Sequence, residues 1–139
     1  MDQNNRVLRV AAKAVIEAEG GILSLHPSKI DLNRNWQMPG GIRDEIDEPI
    51  SETAIREVRE ETGIDLSNVP GKVIKVGEWP AVDQGEQVKI VAIFYHFVLP
   101  KRPIVTLSHE HDDSVWLDKE NFRSYHSNQE VYDLVEDLL

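Results

Sequence analysis

Three carboxylates crowd one side of the segment Arg56-Glu57-Val58-Arg59-Glu60-Glu61-Thr62-Gly63-Ile64. The segment reads as the end of a helix. Ile50, Ala54, Ile55 and Val58 recur at helical spacing and form an apolar stripe that needs a core to face. Pro49 suits a first-turn position, where its missing N–H costs nothing. Gly63 can take the left-handed conformation that ends a helix. With about 3.6 residues per turn, Glu57 and Glu61 are i,i+4 neighbours and Glu60 sits beside both. Like charges so placed repel by roughly a few tenths of a kcal/mol per pair. A hard divalent cation turns that repulsion into coordination, because Mg²⁺ takes carboxylate oxygens and commonly partners a substrate's phosphates. A solvated acidic helix face is the usual fate of such a run, so the reading depends on what surrounds it.

Upstream lies Trp36-Gln37-Met38-Pro39-Gly40-Gly41. Its two glycines allow positive φ and close approach of a ligand to the main chain. Taken together, Gly41, Glu48, Arg56, Glu57, Val58, Glu60, Glu61, Gly63 and Ile64 closely resemble the Nudix box. That pattern is Gly, five residues, Glu, seven residues, then Arg-Glu-aliphatic-any-Glu-Glu-any-Gly-aliphatic. From Glu48 onward the spacing matches without a gap, but six residues, Ile42 to Asp47, separate Gly41 from Glu48. Either the loop carries one extra residue or Asp47 stands in for the glutamate; the first is preferred, since Glu48 keeps its distance to Arg56. The flanks extend the likeness: an aromatic precedes Pro-Gly-Gly, and Ser108-His109-Glu110-His111 is followed by Trp116.

The resemblance implies an α/β fold, a Nudix-type α/β/α sandwich with a mixed β-sheet, as one domain over residues 1–139. It implies hydrolysis of a pyrophosphate bond in a nucleoside diphosphate linked to some group X. The cofactor is Mg²⁺, with Mn²⁺ as an alternative, held by Glu57, Glu60, Glu61 and the Gly41 carbonyl. Arg56 pairs with Glu48 and holds the loop against the helix. The general base comes from the box, with Glu57 and Glu60 as candidates, or from the later loop, with Glu110. His109 and His111 are neighbours rather than ligands, since Mg²⁺ prefers oxygen. Trp36, Gly40 and Arg9 are the candidates for touching substrate. Lys13 shares a strand face with Arg9 and could likewise meet a phosphate, although a solvated face is the plainer reading of both. Trp36 could equally be a core residue.

Composition narrows the classes. The chain has no cysteine, so it has no disulfide framework, zinc-thiolate site or thiol nucleophile, in keeping with a cytoplasmic setting. A net charge of −10 argues against a nucleic-acid polymer or membrane surface as partner. No run approaches the roughly 18 apolar residues of a membrane span, and residues 1–5 are polar, unlike a signal segment.

Alternation predicts strands over residues 7–16, 22–25, 72–78, 88–99 and 114–117, with turns at Glu19-Gly20-Gly21 and Asp83-Gln84-Gly85 and a polar loop over 27–35. Ser127-Asn128-Gln129-Glu130 resembles a capping box opening a terminal helix with Val131, Leu134, Val135 and Leu138 on its apolar side. For the substrate, family analogy ranks nucleoside triphosphates first, including the substrates of nucleotide-pool cleaners. ADP-ribose or a nucleotide sugar comes second and dinucleoside polyphosphates third. A catalytically inactive Nudix-fold module that binds nucleotide or protein is the alternative of another class. The resemblance also implies a homodimer, an arrangement common in the family.

Overall fold

The computed structural model describes residues 7–28 and 35–139. The expectations for residues 1–5 and for most of the 27–35 loop lie outside them. The elements are β1 (Leu8–Ala18), β2 (Gly21–Pro27), β3 (Gly40–Ile42), α1 (Ile50–Thr62), β4 (Gly71–Asp83), β5 (Glu86–Leu99), β6 (His111–Leu117) and α2 (Gln129–Leu138), with a short 3₁₀ turn over Phe122–Ser124. The strands form one six-stranded sheet, ordered β4-β5-β1-β2-β6, with β3 pairing to β1. β1 runs parallel to β5 from Leu8↔Lys89 to Ala18↔Leu99, and the other pairings are antiparallel. The sheet is therefore mixed.

Two hairpins frame it. Their turns carry consecutive positive φ values, Glu19 (50°) and Gly20 (75°), then Gln84 (52°) and Gly85 (78°). That signature matches the right-handed twist of the flanking strands. β1 is shared along its other edge: Glu17 and Ala18 pair with β2, whereas Ala11, Ala12 and Lys13 pair with β3.

Side-chain alternation on β1 divides the core into two layers. Ala12, Ala14 and Ile16 pack with Ala54 and Val58 of α1. Ala11 and Val15 pack with Val131, Leu134 and Val135 of α2. One helix thus covers each face, giving the α/β/α sandwich that the box implied. Among the described residues no helix is long and apolar enough to cross a membrane.

Several local expectations change. β3 was not foreseen, because three residues carry too little alternation to read. β4 extends to Asp83 and β6 begins at His111, since pairing with long neighbours carries both beyond their apolar runs. The capping box does not form. The Ser127 hydroxyl donates to the Tyr125 carbonyl at 2.9 Å, and α2 starts after Asn128 with no side-chain cap.

The β1–β3 contact makes Gly40 irreplaceable. Its φ is +146°, and an added Cβ would lie 2.2 Å from the Ala12 carbonyl oxygen and 2.8 Å from Lys13 Cα. Gly40→Ala should therefore cost about 3 kcal/mol or more. Gly20→Ala meets nothing within 4 Å and should cost only about 1–2 kcal/mol for its left-handed backbone. Denaturant midpoints of the two variants check this; equal losses would contradict it.

Candidate active site

The site grows from the last two turns of α1. Pro49 caps the helix, its carbonyl accepting from the Thr53 amide at 3.1 Å. Gly63 ends it at φ 74°, its amide returning to the Arg59 carbonyl at 2.9 Å. Burial of Ala54 and Val58 against the sheet sets the rotation of α1. That rotation carries Glu61 inside, only 4% exposed, where it faces the Gly40-Gly41 segment of β3. The Gly40 amide donates to Glu61 Oε1 at 2.9 Å. A Cβ on Gly41 would fall 2.6–2.8 Å from the Glu57 carboxylate atoms. Gly41 thus admits the Glu57 carboxylate, while Gly40 meets Glu61 through its amide. At Gly40 the close approach that demands glycine is that of the chain's own β1 backbone.

The electrostatics are strained. Burial pushes the Glu61 carboxyl up to about 8; Glu57 and Glu110 add to the rise, while the Gly40 amide and Lys13 oppose it. Burial also raises Glu57, with Arg56 pulling the other way and Glu60 and Glu110 adding to the rise. Lys13 is lowered by burial, against the attraction of Glu61, Glu130 and Glu57. Both acids sit where water cannot solvate them fully, and a hydrogen bond or a nearby cation offsets only part of that loss.

Arg56 organises the rim. Its Nε and Nη2 donate to the two oxygens of Glu48 at 2.9 and 3.1 Å, the pairing that the family resemblance implied. Nη1 reaches Glu57 at 3.2 Å and Glu60 at 3.1 Å. The Thr53 hydroxyl donates to Glu48 at 2.7 Å, and these bonds, those of Arg56 foremost, hold Glu48 below the usual carboxylate range. The loop between Gly41 and Glu48 turns outward. The Glu48 amide closes a turn onto the Glu45 carbonyl at 3.0 Å, and Ile46 projects 83% exposed. Glu48, not Asp47, is the residue that meets Arg56.

Glu110 arrives from the far end of the chain. The connector before β6 is tied along the end of α1 by Thr106 N–H to the Thr62 carbonyl at 2.9 Å and Ser108 N–H to the Glu61 carbonyl at 3.2 Å. The Glu110 side chain stays exposed, yet its charge acts on both Glu57 and Glu61. His111 is 7% exposed and accepts from Gln37 Nε2 at 3.3 Å through Nε2. Its proton then sits on Nδ1, which has no partner among the described residues. Burial lowers its pKa, which keeps the ring neutral. His109 is exposed, and its carbonyl accepts from the Ser28 hydroxyl.

The other candidates have partners of their own. Arg9 pairs with Asp83 at 3.0 Å and Glu86 at 2.8 Å, fastening the β4–β5 hairpin to β1. Trp36 is enclosed by His26 and Tyr125, each ring centroid 5.1 Å away. Lys13 does reach the site, its Nζ 3.5 Å from the Met38 carbonyl oxygen. Among the described residues no three acidic or histidine side chains already converge as a metal cage. Glu60, 55% exposed, is held by Arg56 instead. The donors nearest to convergence, Glu57 and Glu61, offer only oxygens, a set that suits a hard cation.

Stability should report the burial of Glu61. Its carboxyl titrates near 8 when folded and near 4.5 as a free side chain. Between those values the folded protein binds more protons than the unfolded chain, so metal-free stability falls as pH rises through that window. Glu61→Gln removes the loss. In EDTA the variant should melt above the wild type at pH 8, by a margin that shrinks toward pH 5; a margin independent of pH would contradict the account.

Comparison with known proteins agrees with this geometry. The profile of the NUDIX domain matches residues 7–137. The CTP pyrophosphohydrolase of Escherichia coli K12 is 31% identical over 121 residues, spanning 86% of this chain and 82% of the relative. A MutT protein from Methanosarcina mazei superposes with a TM-score of 0.72 at 25% identity, over 99% of this chain and 95% of that one. A MutT NUDIX hydrolase from Burkholderia pseudomallei gives 0.75 at 24% identity, over 95% and 98%. With its acidic helix face seated on Gly40 and Gly41, the chain belongs to the NUDIX domain family and is a Nudix hydrolase.

Proposed function

We propose that this protein hydrolyses a pyrophosphate bond of a nucleoside triphosphate with Mg²⁺, or Mn²⁺, as cofactor. One observation carries the reading: Glu57 and Glu61 are withdrawn from water, face Gly40 and Gly41, and lack enough positive charge to balance them. A buried acid that keeps its proton near neutrality yields it to a divalent cation, because metal and proton compete for the same oxygen. Glu57 and Glu61 would hold the metal with the Gly41 carbonyl, and Glu60 would complete the set on release from Arg56. When bound, the metal neutralises phosphate oxygens and makes a water more acidic.

The chain's own groups supply the rest. Arg56, anchored on Glu48, fixes the helix face relative to the loop. The Gly40 amide orients the Glu61 carboxylate. Glu110, solvated and within electrostatic reach of both acids, takes the proton of the attacking water. The triphosphate preference is supported by the E. coli relative, a CTP pyrophosphohydrolase. Arg9 is paired with Asp83 and Glu86 and Trp36 contacts His26 and Tyr125; both stay candidates for touching the substrate outside the metal face.

Pyrophosphate release should require Mg²⁺ and stop in EDTA over a panel of triphosphates, with ADP-ribose and dinucleoside polyphosphates as comparators. Glu57→Gln should lower kcat by about 10²-fold or more. Glu110→Gln should lower it roughly 10²-fold while leaving Mg²⁺-induced thermal stabilisation intact. A folded wild type that releases nothing across the panel would overturn the proposal.

A further inference from the structure

Lys13 approaches the buried acids from β1, whereas Arg56 approaches them from α1. Lys13 pairs with Gly40 across the β1–β3 ladder. A Cβ on Gly40 would lie 2.9 Å from Lys13 Cδ, and the Gly40 amide donates to Glu61 Oε1 at 2.9 Å. One glycine therefore lies against both the lysine stem and the carboxylate. The Lys13 Nζ lies 3.5 Å from the Met38 carbonyl oxygen, its one hydrogen bond among the described residues. After the loss of hydration, the groups that act most on this ammonium are Glu61, Glu130 and Glu57. Glu57 and Glu61 come from α1, and Glu130 comes from the first turn of α2.

A cation anchored on the ladder cannot swing away from the acids when a metal ion reaches them. It cannot join the coordination either, since an ammonium only donates. It can only repel the ion, and the desolvation around it strengthens that repulsion. A divalent ion carries twice the charge of the proton it displaces from Glu61, so the repulsion falls more heavily on the metal than on the proton. Glu130 works the other way, because its negative charge offsets part of that of the ammonium.

We propose that Lys13 is a positioning residue of the metal site: its charge holds down the affinity for the divalent cation, and Glu130 of α2 sets how strongly it does so. The proposal rests on the metal-dependent reading above and adds the residues that tune it. It joins the two helical layers through one side chain. α1 supplies the metal ligands, β1 carries the opposing charge, and α2 restrains that charge.

Metal affinity without nucleotide reads the effect apart from turnover. Mn²⁺ is titrated into the full chain at pH 7, and the free ion is counted by its electron paramagnetic resonance signal. Lys13→Met and Lys13→Gln should each bind Mn²⁺ about tenfold or more tightly than the wild type. Lys13→Arg keeps the charge and should stay within about threefold of the wild type. Glu130→Gln should weaken binding by about threefold, and that loss should vanish in the Lys13→Met background, because Glu130 acts through the lysine. Melting curves in EDTA identify the variants that fold. Unchanged or weaker Mn²⁺ affinity in folded Lys13→Met or Lys13→Gln would overturn the proposal. If the same variants also lost affinity for inorganic pyrophosphate in EDTA, the ammonium would belong to the phosphates instead. An equal loss from Glu130→Gln in both backgrounds would overturn the part given to Glu130. A wild type that binds no Mn²⁺, or binds it no better than Glu61→Gln, would sink the metal reading itself; Glu61-dependent binding that ignores Lys13 would sink this proposal alone.

Discussion

The Gly40 amide donates to a carboxylate in the last turn of α1, and the site is arranged around that contact. Glu61 is almost wholly buried, and a carboxyl so placed needs a hydrogen-bond donor to be tolerated. The donor is presented by a three-residue strand held to β1 by Ala12↔Gly41 and Lys13↔Gly40 pairing. The flanking bonds Ala14 N–H to Pro39 O and Arg43 N–H to Val10 O, both 2.8 Å, keep that strand in register. The positive φ at Gly40 follows from the same approach. Core packing of Ala54 and Val58 supplies the other half by fixing how far α1 is turned toward the sheet.

Charge is distributed unevenly around this contact. Arg56 is shared among Glu48, Glu57 and Glu60, and its strongest pairing is with the loop glutamate. Removing one partner from such a part-buried set leaves the others uncompensated. Lys13 is the remaining cation within reach of Glu61 among the groups acting on it, and it is itself desolvated. Two acids and one weakened base leave a site short of positive charge. A divalent ion is the simplest remedy, and the oxygen-only donors favour a hard one.

Much of this was readable from residues. Pro49 and Gly63 bracket α1 within a residue of their expected places. The Glu48–Arg56 pair forms across a six-residue loop whose turn at 45–48 sends Ile46 into solvent. What was not readable depends on tertiary pairing. Lys13 and Arg9 look alike on one strand face, yet the β4–β5 hairpin claims Arg9 and β3 brings Lys13 beside the acids. Ser127 carries a capping signature, but the Tyr125 carbonyl is the acceptor its hydroxyl meets. Glu110 comes near α1 only because Thr106 and Ser108 bond to the helix-end carbonyls, which no local pattern announces. The burial of Glu61, as opposed to Glu60, follows from the rotation of α1 on the sheet.

Proton release on metal binding probes the uncompensated acid most directly. Mg²⁺ titrated into the protein at pH 7 by calorimetry, in two buffers of different ionisation enthalpy, gives the number of protons displaced. With Glu61 protonated until about pH 8, the wild type should release close to one proton per bound metal, and Glu61→Gln close to none. Tight Mg²⁺ binding without proton release, or equal release from the variant, would contradict the claim that a buried, proton-holding Glu61 is the core of the metal site.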